Sequence, residues 1–237
     1  MSFILNHMKF ASNEYYHIYS RTILNLPEFK NSRNCQRLAQ AFLLANYTKS
    51  TEAFQYLRNH EKATLQEALE IAQKGKKLVD ILCYVIMPDH YHLLLKAVED
   101  NGVSEFIRKC NISIAKYINI SKEKRGPIFE SRFKSKHAIT NEYLIHLSLY
   151  IHLNPLDFIA DKAWRNHELK NWLAQKKQLL KYPWSSLNFY LNQNENNPII
   201  SGSEIILDQF KNRKEYETFL REWSEESSNL INDIAID

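Results

Sequence analysis

The 237-residue sequence predicts an α+β fold in which helices cover a small, mostly antiparallel sheet. Short runs rich in aromatic and β-branched residues, typical of strands, are separated by longer runs whose apolar residues recur at helical spacing. The composition, with 44% hydrophobic and 24% charged residues, is that of an ordinary globular protein. The length permits one buried core and does not require a second. We therefore expect one main domain.

The first half of the chain predicts three strands and three helical runs. Residues 15–22 (YYHIYSRT) predict the first strand, and the amphipathic run 31–47 predicts a helix. The polar stretch 50–73 predicts further helix and ends at a turn containing Gly75. Two strand runs follow, separated by Pro88 and Asp89, and then an amphipathic helix that ends near a basic turn. Their predicted bounds are 78–87, 90–97 and 103–120.

The second half predicts one short strand and then helices. Residues 133–139 predict the strand, and 141–153 predict a helix that Asn154 and Pro155 end, since proline disfavours helical geometry at the preceding residue. The chain is polar and helix-like over 157–181 and compact from YPWSS at 182–186 to about Trp223. The last dozen residues are expected to fray.

Charge and cysteine content favour a cytoplasmic protein with a polyanionic partner. The formal charge is +4 and the pI is near 8.8, which is only mildly basic. Three cysteines, Cys35, Cys83 and Cys110, lie far apart and suggest neither a zinc knuckle nor disulfides. The first ten residues show no leader pattern, and no apolar run approaches ~18 residues. We expect neither secretion nor a membrane span.

Two histidines share one face of the strand at 90–97 (HYHLLLKA). The two-residue period of a strand directs His90 and His92 to one side and Tyr91 to the other. Neutral imidazoles placed this way can hold one divalent cation together. Two histidines on a solvated strand face are an equally good interpretation of this motif alone.

A second set of polar residues recurs on the helix at 141–153. His146, Tyr150 and Asn154 lie four residues apart and so fall on one side of the helix. Taken singly, a tyrosine there is more often a core residue, and an asparagine before a proline is more often a helix terminator. Their coincidence groups a phenol with two potential ligands. His146 and Asp89 are weaker candidates, for which structural roles are at least as good an interpretation.

Several blocks of the sequence, in order, resemble the IS200-like transposase superfamily of single-tyrosine HUH nucleases. The resemblance is closest to its branch associated with repetitive extragenic palindromes (REP), and it runs from about Tyr15 to about Trp223. The blocks are VIMPDHYHLLLK, GPIFESRFKS, LSLYIHLNP and YPWSS. The resemblance implies a ferredoxin-like or RRM-like nuclease core over residues 1–160, with a helical extension packed on it over 161–237. One departure is an insertion of about 25 residues at 156–181.

The resemblance also implies roles for the residues that match the motifs of the family. His90 and His92 correspond to the HUH pair, and Asn154 to a third metal ligand. Tyr150 corresponds to a nucleophile that holds the 5′ end of cut single-stranded DNA. The implied cofactor is Mg²⁺ or Mn²⁺, and mixed nitrogen and oxygen ligands suit Mn²⁺ at least as well as Mg²⁺. Tyr15, Tyr16, Tyr19, Tyr117 and Tyr143 are rival nucleophiles without an asparagine in register.

Positive charge is concentrated between the histidine strand and the tyrosine helix. Residues 107–137 hold nine basic and two acidic side chains, a local net charge of +7 that suits phosphates. Phe129 and Phe133 are candidates to stack on bases, with a core position as the alternative. Residues 203–237 carry a net charge of −5 and are not expected on DNA. The DNA-binding candidates are Arg108, Lys109, Lys122, Lys124, Arg125, Arg132, Lys134 and Lys136.

The sequence thus predicts a metal-dependent transposase or derived nuclease that cuts and rejoins single-stranded DNA near hairpins, as a monomer or homodimer. Two alternatives stay open. One is a catalytically silent DNA- or RNA-binding regulator derived from a transposase. The other is a metal-dependent hydrolase that uses water, in which Tyr150 would be dispensable.

Overall fold

A computed structural model describes residues 10–160, 162–166 and 168–225. The first nine residues, on which the expected lack of a leader depends, and the last dozen, expected to fray, lie outside this described part. The strands are β1 Tyr15–Arg21, β2 Val79–Ile86, β3 His90–Ala97 and β4 Lys134–Ala138. The helices are α1 Ser32–Leu44, α2 Ser50–Asn59, α3 Leu65–Gln73, α4 Gly102–Ser121, α5 Asn141–Leu153, α6 Leu156–Ile159, α7 Trp172–Lys181, α8 Leu187–Leu191, α9 Glu204–Leu207 and α10 Arg213–Glu225.

The four strands form one antiparallel sheet in the order β2-β3-β1-β4. Helices α1 to α3 connect β1 to β2, and α4 connects β3 to β4, which is the split βαβ arrangement of ferredoxin-like folds. The predicted α+β class, the antiparallel sheet and the helical C-terminal part are confirmed. In this order β3 lies in the interior of the sheet and pairs with β1, so the histidine strand is held on both sides.

Helices α1 and α4 cover the first face of the sheet, which we call the apolar face. Its core includes Ile18, Phe42, Tyr91, Leu93 and Phe106, all fully buried. The β3 residues that point here are those that the two-residue period assigns opposite to the histidines. This face is therefore an ordinary hydrophobic core.

Helix α5 and the C-terminal helices cover the other face, which we call the histidine face. Leu94 of β3 packs here with Leu147 and Tyr150 of α5, and with Trp164 and Tyr216 from later in the chain. The C-terminal segments are thus part of the core on this side. They close over the side chains that β1 and β3 direct away from α1 and α4.

The YPWSS block attaches the C-terminal part to β2. The Ser186 hydroxyl accepts a hydrogen bond from the backbone N–H of Tyr84 at 2.9 Å, and Ser185 forms a bridge with Val85. The backbone N–H of Ile86 donates to the carbonyl of Trp184 at 2.8 Å. The edge of β2 is therefore covered by protein, which removes an exposed strand edge.

The two long polar stretches are not continuous helices, unlike the sequence expectation. Residues 50–73 divide into α2 and α3 because Thr64 caps α3 in a capping box with Glu67. Residues 156–181 divide into α6, a 3₁₀ turn at Lys162–Asn166 and α7, which Asn171 caps with its side chain. The 3₁₀ turn returns the chain to α5.

Helix α5 ends at Leu153, as Asn154 and Pro155 predict. The residue before the proline nevertheless keeps a helical conformation. Asn154 keeps helical dihedral angles (φ −47°, ψ −39°), and Pro155 begins the turn into α6. The Asn154 side-chain amide donates to the carbonyl of Tyr150 at 2.8 Å, which holds the residue in place. In the part of the chain that the structure describes, no helix combines the length and apolarity needed to cross a bilayer.

Candidate active site

Strand β3 directs two imidazoles toward α5. The rings of His90 and His92 are 5.0 Å apart between centroids, and both side chains are buried, with His92 fully so. Tyr91, between them, lies in the apolar core on the other side. The predicted common face is present, and it is an interior face rather than a solvated one.

Asp89 orients His90. The Nδ1 atom of His90 lies 2.7 Å from Oδ1 of Asp89, so a proton on Nδ1 is donated to the carboxylate and the lone pair is on Nε2. Burial acts to raise the pKa of Asp89, but the hydrogen bond and the charges of His90 and Arg21 outweigh it and lower that pKa. The weaker sequence candidate therefore lies in position for the orienting role.

His17 on β1 contacts His92 and has no counterpart in the sequence argument. Its Nε2 lies 3.0 Å from Nδ1 of His92, and the rings are stacked with centroids 5.2 Å apart. Burial, followed by the electrostatic influence of His90, His17 and Arg165, holds the pKa of His92 well below its usual value. His92 is therefore neutral, and if its Nδ1 donates to His17, its Nε2 carries the lone pair.

The phenol of Tyr150 lies against these histidines within the same chain. Its ring centroid is 5.6 Å from that of His92 and 6.1 Å from that of His17, and the side chain is fully buried. Asn154 follows one helical turn later and is also fully buried. The histidine strand and the tyrosine helix, which the sequence could only pair by resemblance, thus meet.

Tyr19 is a second phenol at this point. Its ring centroid is 4.9 Å from that of His92 and 5.2 Å from that of His90, because the two strands pair Tyr19 with His92. The side chain is 1% exposed. Of the rival tyrosines, Tyr19 is the one whose ring contacts both histidines, and ring distance alone does not separate it from Tyr150.

Arg165, from the inserted segment, reaches the same site. Its Nη1 is 3.4 Å from the Tyr150 hydroxyl and its Nη2 is 3.3 Å from Oδ1 of Asn154. The guanidinium also pairs with Asp157 at 2.7 Å. Burial acts to lower its pKa, but the hydrogen bond to Asp157 and the nearby Tyr150 outweigh this and raise it. Arg165 is therefore a permanent positive charge beside the phenol.

The donor set fits a divalent cation. The Nε2 atoms of His90 and His92 are buried, and each has no hydrogen-bond partner among the described residues. Such orphaned nitrogens are costly unless a ligand uses them. Asn154, which the sequence resemblance implies as the third ligand, lies at the end of α5 one turn after Tyr150 and is fully buried. Two nitrogens and an amide oxygen suit Mn²⁺ or Mg²⁺.

The eight basic residues predicted to bind DNA lie in different parts of the fold. Lys134 and Lys136 on β4 pair with Tyr19 and His17, so they lie on the histidine face. Lys134 is 5.3 Å from the centroid of the Tyr19 ring. Arg132 and Lys134 also line a small cleft beside Tyr19. Arg21, which is not one of the eight candidates, lines the same cleft.

The remaining basic candidates lie farther along the fold. Lys122 and Lys124 both pair with the buried carboxylate of Glu28, and Arg125 is exposed in the same turn. Arg108 and Lys109 are on α4, which covers the apolar face, and Lys109 is bonded to Glu105 at 2.8 Å. Three of the eight are therefore near the histidines, and Arg108 and Lys109 are on the opposite side of the sheet.

Three other candidates have structural surroundings. Phe129 is buried and packs with Phe29 and Tyr91, and Phe133 is partly buried against the same core. His146 contacts Phe219 and Trp223 of α10. The interpretation of these side chains as packing residues is the one that the structure supports.

Comparison with known proteins gives a family match over part of the chain. Residues 48–154, a little under half of the chain, match the family described as "Transposase IS200 like". Over this segment the chain is therefore similar to IS200-like transposases. This match agrees with the family resemblance found in the sequence.

The matched segment contains His90, His92 and Tyr150 and ends at Asn154. Among solved structures, the chain is similar to one described as "Structure of the REP associates tyrosine transposase bound to a REP hairpin". The TM-score is 0.49 at 14% identity, over 81% of this chain and 88% of that one. No curated protein sequence matches the chain significantly.

Proposed function

We propose that this protein is a REP-associated type of IS200-like transposase, which cleaves and rejoins single-stranded DNA beside a hairpin through a covalent 5′-phosphotyrosine on Tyr150. The observation that carries the proposal is the convergence of two separated motifs. Tyr150 of α5 lies against His92 of β3, whose ring is beside that of His90, and these three residues and Asn154 all lie within the family segment 48–154. Tyr19 lies outside that segment, which favours Tyr150 as the nucleophile.

In the proposed reaction, the phenol oxygen of Tyr150 attacks the scissile phosphorus in line with the 3′-oxygen. The bond from phosphorus to the 3′-oxygen breaks, the strand leaves as a 3′-hydroxyl after taking up a proton, and the phosphate stays on the tyrosine. Attack by a 3′-hydroxyl in the reverse sense rejoins the DNA and restores the phenol. The bond energy is conserved, so no nucleotide cofactor is required.

The ordinary phenol pKa of about 10 and the anionic charge of the phosphate both oppose this attack. A divalent cation bound by His90, His92 and Asn154 would polarise a phosphate oxygen and stabilise the leaving oxygen. Asp89 holds the His90 ring so that Nε2 faces the site.

We assign the DNA path to the basic side chains at the open side of the histidine face. Arg132, Lys134 and Lys136 lie beside β1, and Arg21 lines the same cleft. Lys122, Lys124 and Arg125 extend the charge along the neighbouring turn. Exposed lysines and arginines bind phosphates without reading sequence, which suits a single-stranded flank.

The remaining parts of the proposal concern organisation. We assign residues 1–160 to the transposase domain and 161–237 to an extension packed on it, in a cytoplasmic protein. Because Tyr150 and the histidines of one chain lie together, a monomer is sufficient, and exchange of α5 between two chains is not needed. A homodimer formed without exchange is compatible with the same chemistry.

The test is formation of a denaturation-resistant protein–DNA adduct. The protein is incubated with Mn²⁺ or Mg²⁺ and single-stranded hairpin DNA from the flanks of its own gene, and products are separated on a denaturing gel. We expect an adduct that Tyr150→Phe abolishes and that Tyr143→Phe, a matched change on the same helix, retains. An adduct that survives Tyr150→Phe and is lost in Tyr19→Phe would transfer the nucleophile to β1.

One observation favours a second candidate, a silent nucleic-acid-binding regulator. Tyr150 and Asn154 have no exposed surface, and Arg165 lies over both. Hairpin binding without an adduct, under either metal, would favour the regulator. Cleavage without an adduct that persists in Tyr150→Phe would instead identify a hydrolase that uses water.

A further inference from the structure

Arg165 is the charged group closest to the candidate nucleophile that the proposed mechanism does not yet use. Its guanidinium carbon lies 5.4 Å from the centroid of the Tyr150 ring and 4.7 Å from that of Trp164. Its Nη1 and Nη2 face the Tyr150 hydroxyl and the Asn154 amide oxygen. The segment that carries it is the insertion at 156–181, which departs from the family pattern.

Asp157 holds this guanidinium in a fixed orientation. Nε donates to both carboxylate oxygens at 3.0 Å, and Nη2 donates to Oδ2 at 2.7 Å. The indole N–H of Trp164 donates to the same carboxylate at 2.7 Å. Two-point pairing of this kind fixes the plane of the group as well as its position. The arrangement is that of a positioned functional group, with its support provided by Asp157 and Trp164.

The contacts of Arg165 toward the site are longer than its contacts to Asp157. A guanidinium has five N–H donors, and Asp157 uses those on one edge. The contacts to Tyr150 and Asn154, at 3.4 and 3.3 Å, are weak hydrogen bonds. An incoming anion with two oxygens can therefore replace them without loss of the anchor.

Exposure places Arg165 on the route to the phenol. Tyr150, Asn154 and His92 have no exposed surface, whereas the Arg165 side chain is 22% exposed. A phosphate that approaches the phenol from solvent at this side meets the guanidinium first. A fixed planar cation is a preferred partner for phosphate oxygens, and its charge does not titrate at physiological pH.

We infer that Arg165 is a further catalytic residue, which binds a non-bridging oxygen of the scissile phosphate beside Tyr150, and that Asp157 and Trp164 are its positioning residues. The inference rests on the proposed function, since it assumes that Tyr150 attacks a phosphodiester. In this arrangement the guanidinium leaves Asn154 when the phosphate enters, which frees the amide oxygen for a cation. The insertion is thus part of the active site.

The kinetic test compares Arg165→Ala with wild type in single-turnover adduct formation on the same hairpin DNA. We expect the rate constant to fall about 10²–10³-fold, the range found when one preorganised donor to a reacting oxygen is removed. Arg165→Lys restores part of the rate, because it keeps the charge and loses the fork. Asp157→Asn, which leaves the arginine but loosens it, lowers the rate about 10-fold. Lys176→Ala, in the same insertion and paired with Glu217, is the matched control without effect.

A binding test keeps the inference separate from the proposed function. In a Tyr150→Phe background without added metal, hairpin DNAs carry one neutral methylphosphonate at each successive flank position, and their affinities are measured. We expect one position at which loss of the phosphate charge weakens binding several-fold, and this loss disappears when Arg165→Ala is added. If every methylphosphonate weakened binding to the same extent with and without Arg165→Ala, the inference would be overturned.

Each outcome tests either the proposed function or the role of Arg165. Absence of a wild-type adduct under either metal counts against the proposed function, while the binding scan still tests Arg165. A wild-type adduct with an unchanged rate in Arg165→Ala removes the arginine from the mechanism. A faster rate in Arg165→Ala also overturns the inference, because it identifies the guanidinium as a block over the nucleophile. Urea denaturation of each variant establishes that the changes compared are made in folded protein.

Discussion

The two faces of the sheet carry opposite chemistry on the same strands. On the apolar face, Tyr91 and Leu93 of β3 pack with aromatic and aliphatic side chains from α1 and α4. On the histidine face, the adjacent His90 and His92 lie among polar groups from β1 and α5 that are just as deeply buried. A single strand therefore divides its residues between a core and a candidate site.

The difference shows how the fold can tolerate the site. Burial of apolar surface provides the main stabilisation of a folded chain, and the apolar face provides it here with aliphatic and aromatic side chains. The histidine face instead buries imidazole nitrogens that lack hydrogen-bond partners among the described residues, which is unfavourable unless a ligand binds them. The candidate site is thus confined to one side of the sheet, and substitutions of its polar residues are expected to differ in effect from substitutions in the apolar face.

The largest expected difference separates two neighbours on β3. Tyr91→Ala removes a fully buried ring and its hydroxyl contact with Asn111 at 2.7 Å, so we expect the free energy of unfolding to fall by about 3–5 kcal/mol. His90→Ala abolishes the adduct and lowers the free energy of unfolding by about 1–2 kcal/mol, because it removes the hydrogen bond to Asp89, whereas Nε2 has no hydrogen bond among the described residues to lose. Urea denaturation measures both. Equal destabilisation by the two changes would contradict the division between the faces.

The second-largest effect expected is an increase in the free energy of unfolding when a metal ion binds to the histidine face. At a free Mn²⁺ concentration 100 times the dissociation constant, the free energy of unfolding should rise by about 2.7 kcal/mol. His90→Ala and Asn154→Ala should remove this increase, whereas Tyr91→Phe, on the other face, should keep it. Thermal denaturation with and without Mn²⁺ gives the measurement. If His90→Ala retained the full increase, the cation would have to bind elsewhere.

Weakening the attachment of the C-terminal helices to α5 is expected to lower the free energy of unfolding by a smaller amount. The Tyr216 hydroxyl is buried and lies 3.0 Å from the Ser148 hydroxyl and 2.8 Å from Nδ1 of His152. Tyr216→Phe leaves that nitrogen without this partner, so the free energy of unfolding should fall by about 1–3 kcal/mol. The half-buried Tyr56, changed to Phe, serves as the control. A neutral Tyr216→Phe would show that α10 is held by packing alone.

The smallest expected effect concerns the basic turn and depends on pH. Burial acts to raise the pKa of Glu28, but hydrogen bonds and charges from Lys122 and Lys124 outweigh it and lower that pKa from its ordinary value of 4.5. The unfolded chain therefore takes up the proton first on acidification. The contribution of Glu28 is present above about pH 4.5 and is lost as the pH falls through the folded-state pKa.

Glu28→Gln should consequently lower the free energy of unfolding by about 1 kcal/mol at pH 7 and by progressively less below pH 4.5, since the partner lysines are well exposed. Urea denaturation at several pH values provides the measurement. A difference between the variant and wild type that stayed constant from pH 7 to pH 3 would contradict the ion-pair explanation.

The sequence determined the elements with the clearest local signals. The bounds predicted for β3 (90–97) and α5 (141–153) agree with the structure, because alternation fixes the strand and Pro155 limits the helix. The same periodicities placed His90 with His92 and Tyr150 with Asn154. The break at Thr64 was missed, although its capping box with Glu67 was a signal that could have found it.

Only the tertiary structure decided which of these groups meet. His17 and Tyr19 reach His92 because β1 pairs with β3 in one register, and no local spacing specifies a partner about 75 residues away. Arg165 reaches Tyr150 because a 3₁₀ turn within a polar insertion folds back over α5. Periodicity fixes the side of its own element on which a residue lies, whereas strand pairing and the packing of the insertion fix what that side contacts. The sequence therefore determined the candidate ligands and nucleophile, and the fold added the histidine, the second phenol and the arginine that surround them.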